Sequence, residues 1–145
     1  MLKNIMQALM PPKKMIEMFT YKIVSNLSIE QIAGKIPAAC EQSKFSVLQT
    51  YVYHEILEGK GFPIKRKVII YEICQAKTAS LMLTDNPEFS IFMPCKLALY
   101  EEQGKTVVST MNMGIVLDAV KSNPTLFNEA TALFNTLKSL MNTIA

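Results

Sequence analysis

The feature that most constrains this fold is an apolar stripe along residues 124–145. Its members recur at the three- and four-residue spacing of an amphipathic helix: Leu126, Phe127, Ala130, Leu133, Phe134, Leu137, Leu140, Met141 and Ile144. Pro124 suits the first turn of such a helix, and Asn123 suits its N-cap. The opposite side is mostly Asn, Thr and Ser, so it either faces water or is covered by a second subunit. The stripe must be buried against another layer of structure.

Strand-forming segments supply that second layer. Residues 19–25 alternate apolar and polar side chains, and residues 45–56 are rich in β-branched and aromatic side chains, so both are predicted as strands. Residues 67–74 are apolar at nearly every position, which predicts a central strand covered on both faces. Two further strands follow Pro94 and form a hairpin that turns at Gln103-Gly104.

Helices are predicted between these strands. Ser28 and Gln31 form a capping box that begins a helix running toward Lys44, and Pro37 should kink or divide it. A shorter helix is predicted over residues 76–86. The order β-α-β-β-α-β-β-α is that of a two-layer α+β domain, with helices packed on one mixed, mostly antiparallel sheet.

The N-terminal residues form an extension in this interpretation. Residues 2–10 place Leu2, Ile5, Met6 and Leu9 on one face of a short helix that stops at Pro11-Pro12. We therefore divide the chain into an extension, residues 1–15, and a single α+β domain, residues 16–145. The extension lacks a small-residue cleavage site, so it is not interpreted as a signal peptide.

Composition narrows the classes of partner. Half of the residues are hydrophobic and 19% are charged, as in a compact globule. The net charge of +3 is small, and the basic residues are scattered apart from Lys65-Arg66-Lys67, so nucleic acid is not an expected partner. No apolar stretch approaches the roughly 18 residues of a membrane span, so a membrane is not expected either. Three cysteines without a CxxC pair indicate reduced thiols and a cytoplasmic location.

The segment from Tyr71 to Ser109 resembles the bacterial and archaeal domain of unknown function 302 family. The matching residues are Glu72, Cys74, Ala79, Leu83, Asp85, Pro87, Pro94, Cys95, Tyr100 and Glu101, within a resemblance that runs from about Met18 to Ile144. Gln75-Ala76 departs from a common asparagine-proline step, Ser90 replaces a common glycine, and residues 1–15 have no counterpart. The resemblance implies a small α+β fold that forms homodimers, with an unsettled molecular function.

Strand parity selects four candidate ligand-binding residues. Alternation places Cys95 on the same side of its strand as apolar residues. It places His54 on an apolar side in the same way, in the strand predicted to reach residue 56. Glu72 and Cys74 fall on the same side of their strand as Val68 and Ile70. If these faces coincide, His54, Glu72, Cys74 and Cys95 surround one partly buried pocket. The simpler alternative is that the thiols fill core volume and His54 is a hydrogen-bonded core or rim residue.

The sequence favours no catalytic chemistry. Two thiols, an imidazole and a carboxylate are a permissible zinc set, but their spacing matches no compact zinc motif, and no metal or cofactor is expected. Nucleophilic catalysis by Cys95 needs a base, for which His54 is the sole histidine. The GxG of Gly59 and Gly61 lacks the following helix of a phosphate-binding loop. The ten methionines are predicted to fill core gaps.

Two functions therefore remain open. The first is a homodimeric module that binds a small ligand or partner without turnover. The second is a thiol-dependent enzyme or carrier in sulfur or redox metabolism that uses Cys95 or Cys74. We expect these two cysteines to lie close together at the strand ends, reduced and lining one pocket.

Overall fold

An antiparallel sheet of five strands forms the centre of the protein in the computed structural model, which describes residues 4–5 and 9–145. The strands are β1 (Thr20–Ser25), β2 (Ser46–Val52), β3 (Val68–Cys74), β4 (Cys95–Glu102) and β5 (Lys105–Met111). They lie in the order β1-β5-β4-β3-β2, and every neighbouring pair is antiparallel. The predicted α+β class is confirmed.

Helices connect and cover these strands. They are α1 (Pro12–Phe19), α2 (Ile29–Gln42), α3 (Tyr53–Gly59), α4 (Ala76–Asp85), α5 (Gly114–Ala119) and α6 (Pro124–Ile144), with a 3₁₀ helix over Pro87–Phe92. Most of the helix expected over residues 2–10 lies outside the described residues. Asn123 caps α6 as predicted, because its side chain accepts a hydrogen bond from the Leu126 N–H at 3.1 Å.

The main core lies between one face of the sheet and the helices α2 and α6. Alternate strand residues, among them Ile73, Leu97, Leu99 and Val108, point toward the helices and are buried. The apolar stripe of α6 meets them, as its periodicity requires. Burying a large aliphatic side chain stabilises a fold by roughly 1.5–3 kcal/mol, so this layer dominates the stability of the domain.

A smaller apolar cluster lies beside the main core. It consists of Met82, Phe89, Val116, Val120 and Leu126, contributed by α4, the 3₁₀ helix, α5 and the start of α6. The chain between β3 and β4 therefore has its own packing partners. The space between the two clusters is where the candidate site lies.

Helix α2 runs unbroken across Pro37, so of the two effects predicted for this proline, a kink or a division, the division does not occur. Its capping box is present: the Ser28 hydroxyl accepts from the Gln31 N–H at 3.1 Å, and the Gln31 side chain accepts from the Ser28 N–H at 2.8 Å. Five buried side chains hold the helix to the core: Ile29, Ile32, Ile36, Ala39 and Cys40. The stabilisation from this burial and from the cap offsets the loss of the hydrogen bond that proline cannot donate.

Strand β2 ends at Val52, and the prediction that it continues to Ile56 is wrong. The chain turns there into helix α3. Glu55, Leu57 and Glu58 are good helix formers, and this local preference outweighs the β-branched and aromatic residues that precede them. His54 therefore lies on a helix, and the strand parity assigned to it does not apply.

The prediction that β3 is covered on both faces is also wrong. Tyr71 and Ile73 are buried against the helices, while Val68, Ile70 and Glu72 on the other face are half-buried.

The hairpin of β4 and β5 is as predicted, with Gly104 at φ +73° and Gln103 at φ +51° in its turn.

Helix α1 was not predicted, and it crosses the expected boundary at residue 15. None of its eight residues is buried. Its carboxyl end is tied to the residue after β5, because the Asn112 N–H donates to the Phe19 carbonyl at 2.8 Å. The Asn112 side-chain amide donates to the Met18 carbonyl at 3.2 Å.

A chain that begins at Met15 is expected to fold, with a free energy of unfolding within about 1 kcal/mol of the full-length value. Of the residues removed, those that the structure describes (4–5 and 9–14) contribute nothing to either apolar cluster, and the bonds from Asn112 are retained. Urea unfolding followed by circular dichroism measures the difference. A shortened chain without a cooperative transition would show that the extension is structural.

Candidate functional site

A mostly apolar pocket of about 450 Å³ lies between the two clusters, at the end of the sheet where β3 stops and β4 starts. Its inner wall combines Ile73 and Leu133 of the main core with Met82 and Val116 of the smaller cluster. The segment between β3 and β4 packs against α5 and α6, and the pocket is the space that remains beside the end of the sheet.

The mouth of this pocket carries exposed apolar side chains. Leu48 of β2 is 58% exposed, and Ile91 of the 3₁₀ helix is 80% exposed. Leu83 and Phe92 lie on the same rim and are also exposed. Singly exposed apolar residues are ordinary, but several around one opening are typical of a binding site.

Cys74 and Cys95 both line the pocket. Cys95 pairs directly with Ile73 across the sheet, and Cys74 is the next residue of β3. Paired and consecutive α-carbons have fixed spacings, so the α-carbons of the two cysteines lie within about 9 Å. Both side chains are half-buried.

Burial raises the pKa of the Cys95 thiol above its ordinary value. The nearby Cys74 raises it further, because two neighbouring thiolates would repel, and a backbone hydrogen bond opposes the rise only partly. The Cys95 side chain is therefore a neutral thiol at neutral pH. Reactive cysteines instead have a lowered pKa in an electropositive setting.

His54 lies outside the pocket. Its Nδ1 is 3.0 Å from the Val68 carbonyl oxygen and 3.1 Å from the Val68 nitrogen, so it ties α3 to the start of β3. Cys74 is at the other end of that strand, about 20 Å away at the usual rise. His54 cannot act as a base for either cysteine, and the expectation that all four candidates share one pocket is not met.

Glu72 also lies outside the pocket, on the sheet face away from the helices. It pairs across the strands with Lys96 and Gln49. Its carboxylate is 3.9 Å from the Lys96 ammonium, and it accepts a hydrogen bond from the Tyr51 hydroxyl that raises the pKa of that tyrosine. The charge of Glu72 is thus partnered on a half-exposed surface.

Four methionines that the sequence placed in the core line the pocket: Met82, Met93, Met111 and Met113. They come from three separate segments, around residues 82, 93 and 111–113, so no single spacing in the sequence brings them together. The unbranched, polarizable methionine side chain adapts to ligands of different shape. These residues give the pocket a deformable wall.

Few polar groups reach this wall. Lys96 and Gln75 lie at the pocket, and Gln75 accepts a hydrogen bond from the Thr78 hydroxyl at 2.9 Å. The Thr110 hydroxyl donates to the Lys96 carbonyl at 2.6 Å.

Among residues 4–5 and 9–145, no group of three or more His, Cys, Asp and Glu side chains could hold a metal ion, so the described residues do not assemble the zinc set. Within the same residues, no helix is long and apolar enough to cross a bilayer.

Sequence and structure comparisons identify the family of the chain. The family described as "Domain of unknown function DUF302" matches residues 21–144, so the chain belongs to it. A similar solved structure is the crystal structure of an uncharacterized conserved protein DUF302 from Bacillus stearothermophilus. The two chains are 25% identical with a TM-score of 0.76, over 88% of this chain and 99% of that one. No curated protein matches the chain.

Alkylation of Cys95 by iodoacetamide is expected to require a higher pH in the folded protein than in the unfolded chain, because the raised pKa keeps the nucleophilic thiolate scarce. Labelling of each cysteine is followed by peptide mass. The same protein in concentrated urea is the control, since unfolding returns the pKa of Cys95 to its ordinary range. Half-maximal labelling of Cys95 in the folded protein at the same pH as in urea, or at a lower pH, would contradict this expectation.

Proposed function

We propose that this protein binds a small apolar molecule, without chemical turnover, in the pocket at the end of its sheet. The observation that carries the proposal is the pocket itself: about 450 Å³, walled by methionine and aliphatic side chains and open to solvent through an apolar rim. Ligand sites are concave and mostly apolar, with few polar groups to orient the ligand.

The thiol chemistry at this pocket favours binding over catalysis. A thiol-dependent enzyme needs a thiolate and a neighbouring base. The pKa of Cys95 is raised, and the sole histidine of the chain is bonded to Val68 at the far end of β3. We therefore place Cys74 and Cys95 in the wall of the pocket as compact apolar groups.

Filling the pocket is expected to abolish binding of an apolar probe. Ala79 lines the pocket from α4, and Ala76 lies exposed on the same helix. Ala79→Phe should weaken the fluorescence-monitored binding of 1-anilinonaphthalene-8-sulfonate at least tenfold, since the added ring occupies the ligand volume. Ala76→Phe is the matched control and should bind as the unsubstituted protein does.

Urea unfolding of both variants separates lost binding from lost structure. Equal probe affinity in Ala79→Phe and the unsubstituted protein would show that the probe binds elsewhere. Equal losses in the two variants would show that the effect comes from the added ring and not from the pocket. Either outcome would contradict the proposed function.

We also propose that the protein acts as a homodimer in the cytoplasm, where its thiols stay reduced. The outer side of α6 supports the dimer because it is exposed and uncharged over its length: Thr125, Asn128, Ala132, Asn135, Ser139, Asn142 and Thr143. Two-fold pairing is the commonest closed assembly, and an uncharged surface costs less free energy to desolvate than a charged one.

Light scattering at micromolar concentration is expected to give twice the chain mass of 16.3 kDa. A stable interface buries on the order of 800 Å² per partner, so a charge at its centre should disrupt it. Asn135→Arg should reduce the mass to that of the monomer, and Glu58→Arg on α3 should not. A monomer mass for the unsubstituted protein would end this proposal.

A further inference from the structure

Helix α1 presents an apolar face to solvent. Ile16 is 67% exposed and Phe19 is 49% exposed, and none of the eight residues of the helix is buried. Leu9, just before the helix, is 80% exposed. Such a face in water is costly, since each large apolar side chain left exposed forgoes roughly 1.5–3 kcal/mol of burial.

The helix is amphipathic. At 3.6 residues per turn, Met15, Ile16 and Phe19 fall on one side, and the charged residues Lys13, Lys14 and Glu17 fall on the other. A shallow apolar depression of about 230 Å³ continues the apolar side toward the preceding residues; it is lined by Leu9, Met10, Met15, Met18 and Phe19. The lysines give the helix a net positive charge beside its apolar face.

Hydrogen bonds hold this helix in place on the domain. Asn112 donates to the Phe19 and Met18 carbonyls at 2.8 and 3.2 Å, and the Thr20 hydroxyl donates to the Ile16 carbonyl at 3.2 Å. All three acceptors are carbonyls of the last turn, which a helix otherwise leaves without partners. The apolar face is therefore presented in a fixed direction.

We propose that the apolar face of α1 lies on an anionic lipid bilayer, with Lys13 and Lys14 against the head groups. Amphipathic helices with lysine on the polar face bind the bilayer interface without spanning it, so the absence of a spanning helix in the described residues does not bear on this mode. Charge complementarity favours this occupant, because an anionic surface attracts Lys13 and Lys14, which outnumber Glu17 on the charged side of the helix.

The residue that holds α1 on the domain lies beside the pocket. Asn112, which holds the helix, lies between Met111 and Met113, and both methionines line the pocket. The family match begins at residue 21, so α1 precedes the matched domain. Docking by α1 does not depend on what the pocket holds.

Co-sedimentation of the full chain with vesicles tests the proposal. The protein is expected to pellet with vesicles of phosphatidylcholine and phosphatidylglycerol at low salt, less at 0.5 M NaCl because salt screens the lysines, and little with phosphatidylcholine alone. Ile16→Glu should weaken binding at least about tenfold. Lys13→Glu and Lys14→Glu should each weaken it about fivefold or more.

Phe62→Glu is the matched control, because Phe62 is another strongly exposed apolar side chain, in the loop after α3. It should bind vesicles as the unsubstituted protein does. No sedimentation with anionic vesicles, or equal sedimentation of Ile16→Glu, would overturn the proposal. A fall from dimer to monomer mass in Ile16→Glu without vesicle binding would overturn it in favour of a subunit contact.

Discussion

The register between β3 and β4 is the constraint on which the rest of this structure depends. Ile73 lies opposite Cys95, Tyr71 opposite Leu97, and so on along the strands. Because side chains alternate between faces, this register turns one set of residues toward α2 and α6 and leaves Glu72 and Lys96 on the open face. A slip of one residue would expose the core and bury that ion pair.

The pocket is the space that two separately packed clusters leave between them. The main core ends at Ile73 and Leu133, and the smaller cluster begins at Met82 and Val116. The same apolar surroundings that suit the pocket to an apolar molecule raise the pKa of Cys95. Burial thus accounts both for the proposed binding and for the case against a reactive thiol.

The proposed lipid contact follows from the way α1 is held on the domain. Within α1 the apolar side chains are unburied, while the backbone of its last turn is well bonded to Asn112. An element that is fixed in position and still exposes its apolar face is suited to a surface supplied from outside the chain. The pocket rim and α1 both expose apolar side chains at the surface of the domain, in addition to those buried in its core.

The sequence by itself determined the elements whose signals are local. The stripe of α6, the Ser28 capping box and the Gly104 turn each depend on residues within a few positions of one another, and the structure has all three. The family followed from a contiguous segment around Cys95, for the same reason.

Only the tertiary structure decided what meets at the pocket. A short apolar run reads equally as strand or helix, so His54 was assigned to a strand and its parity led to the wrong neighbours. Met82, Met93, Met111 and Met113 share a cavity because three separate segments converge there, and no periodicity in the sequence predicts that convergence. Local patterns specify which side of an element is apolar, whereas the packing of distant elements decides whether that side becomes core, pocket wall or exposed surface.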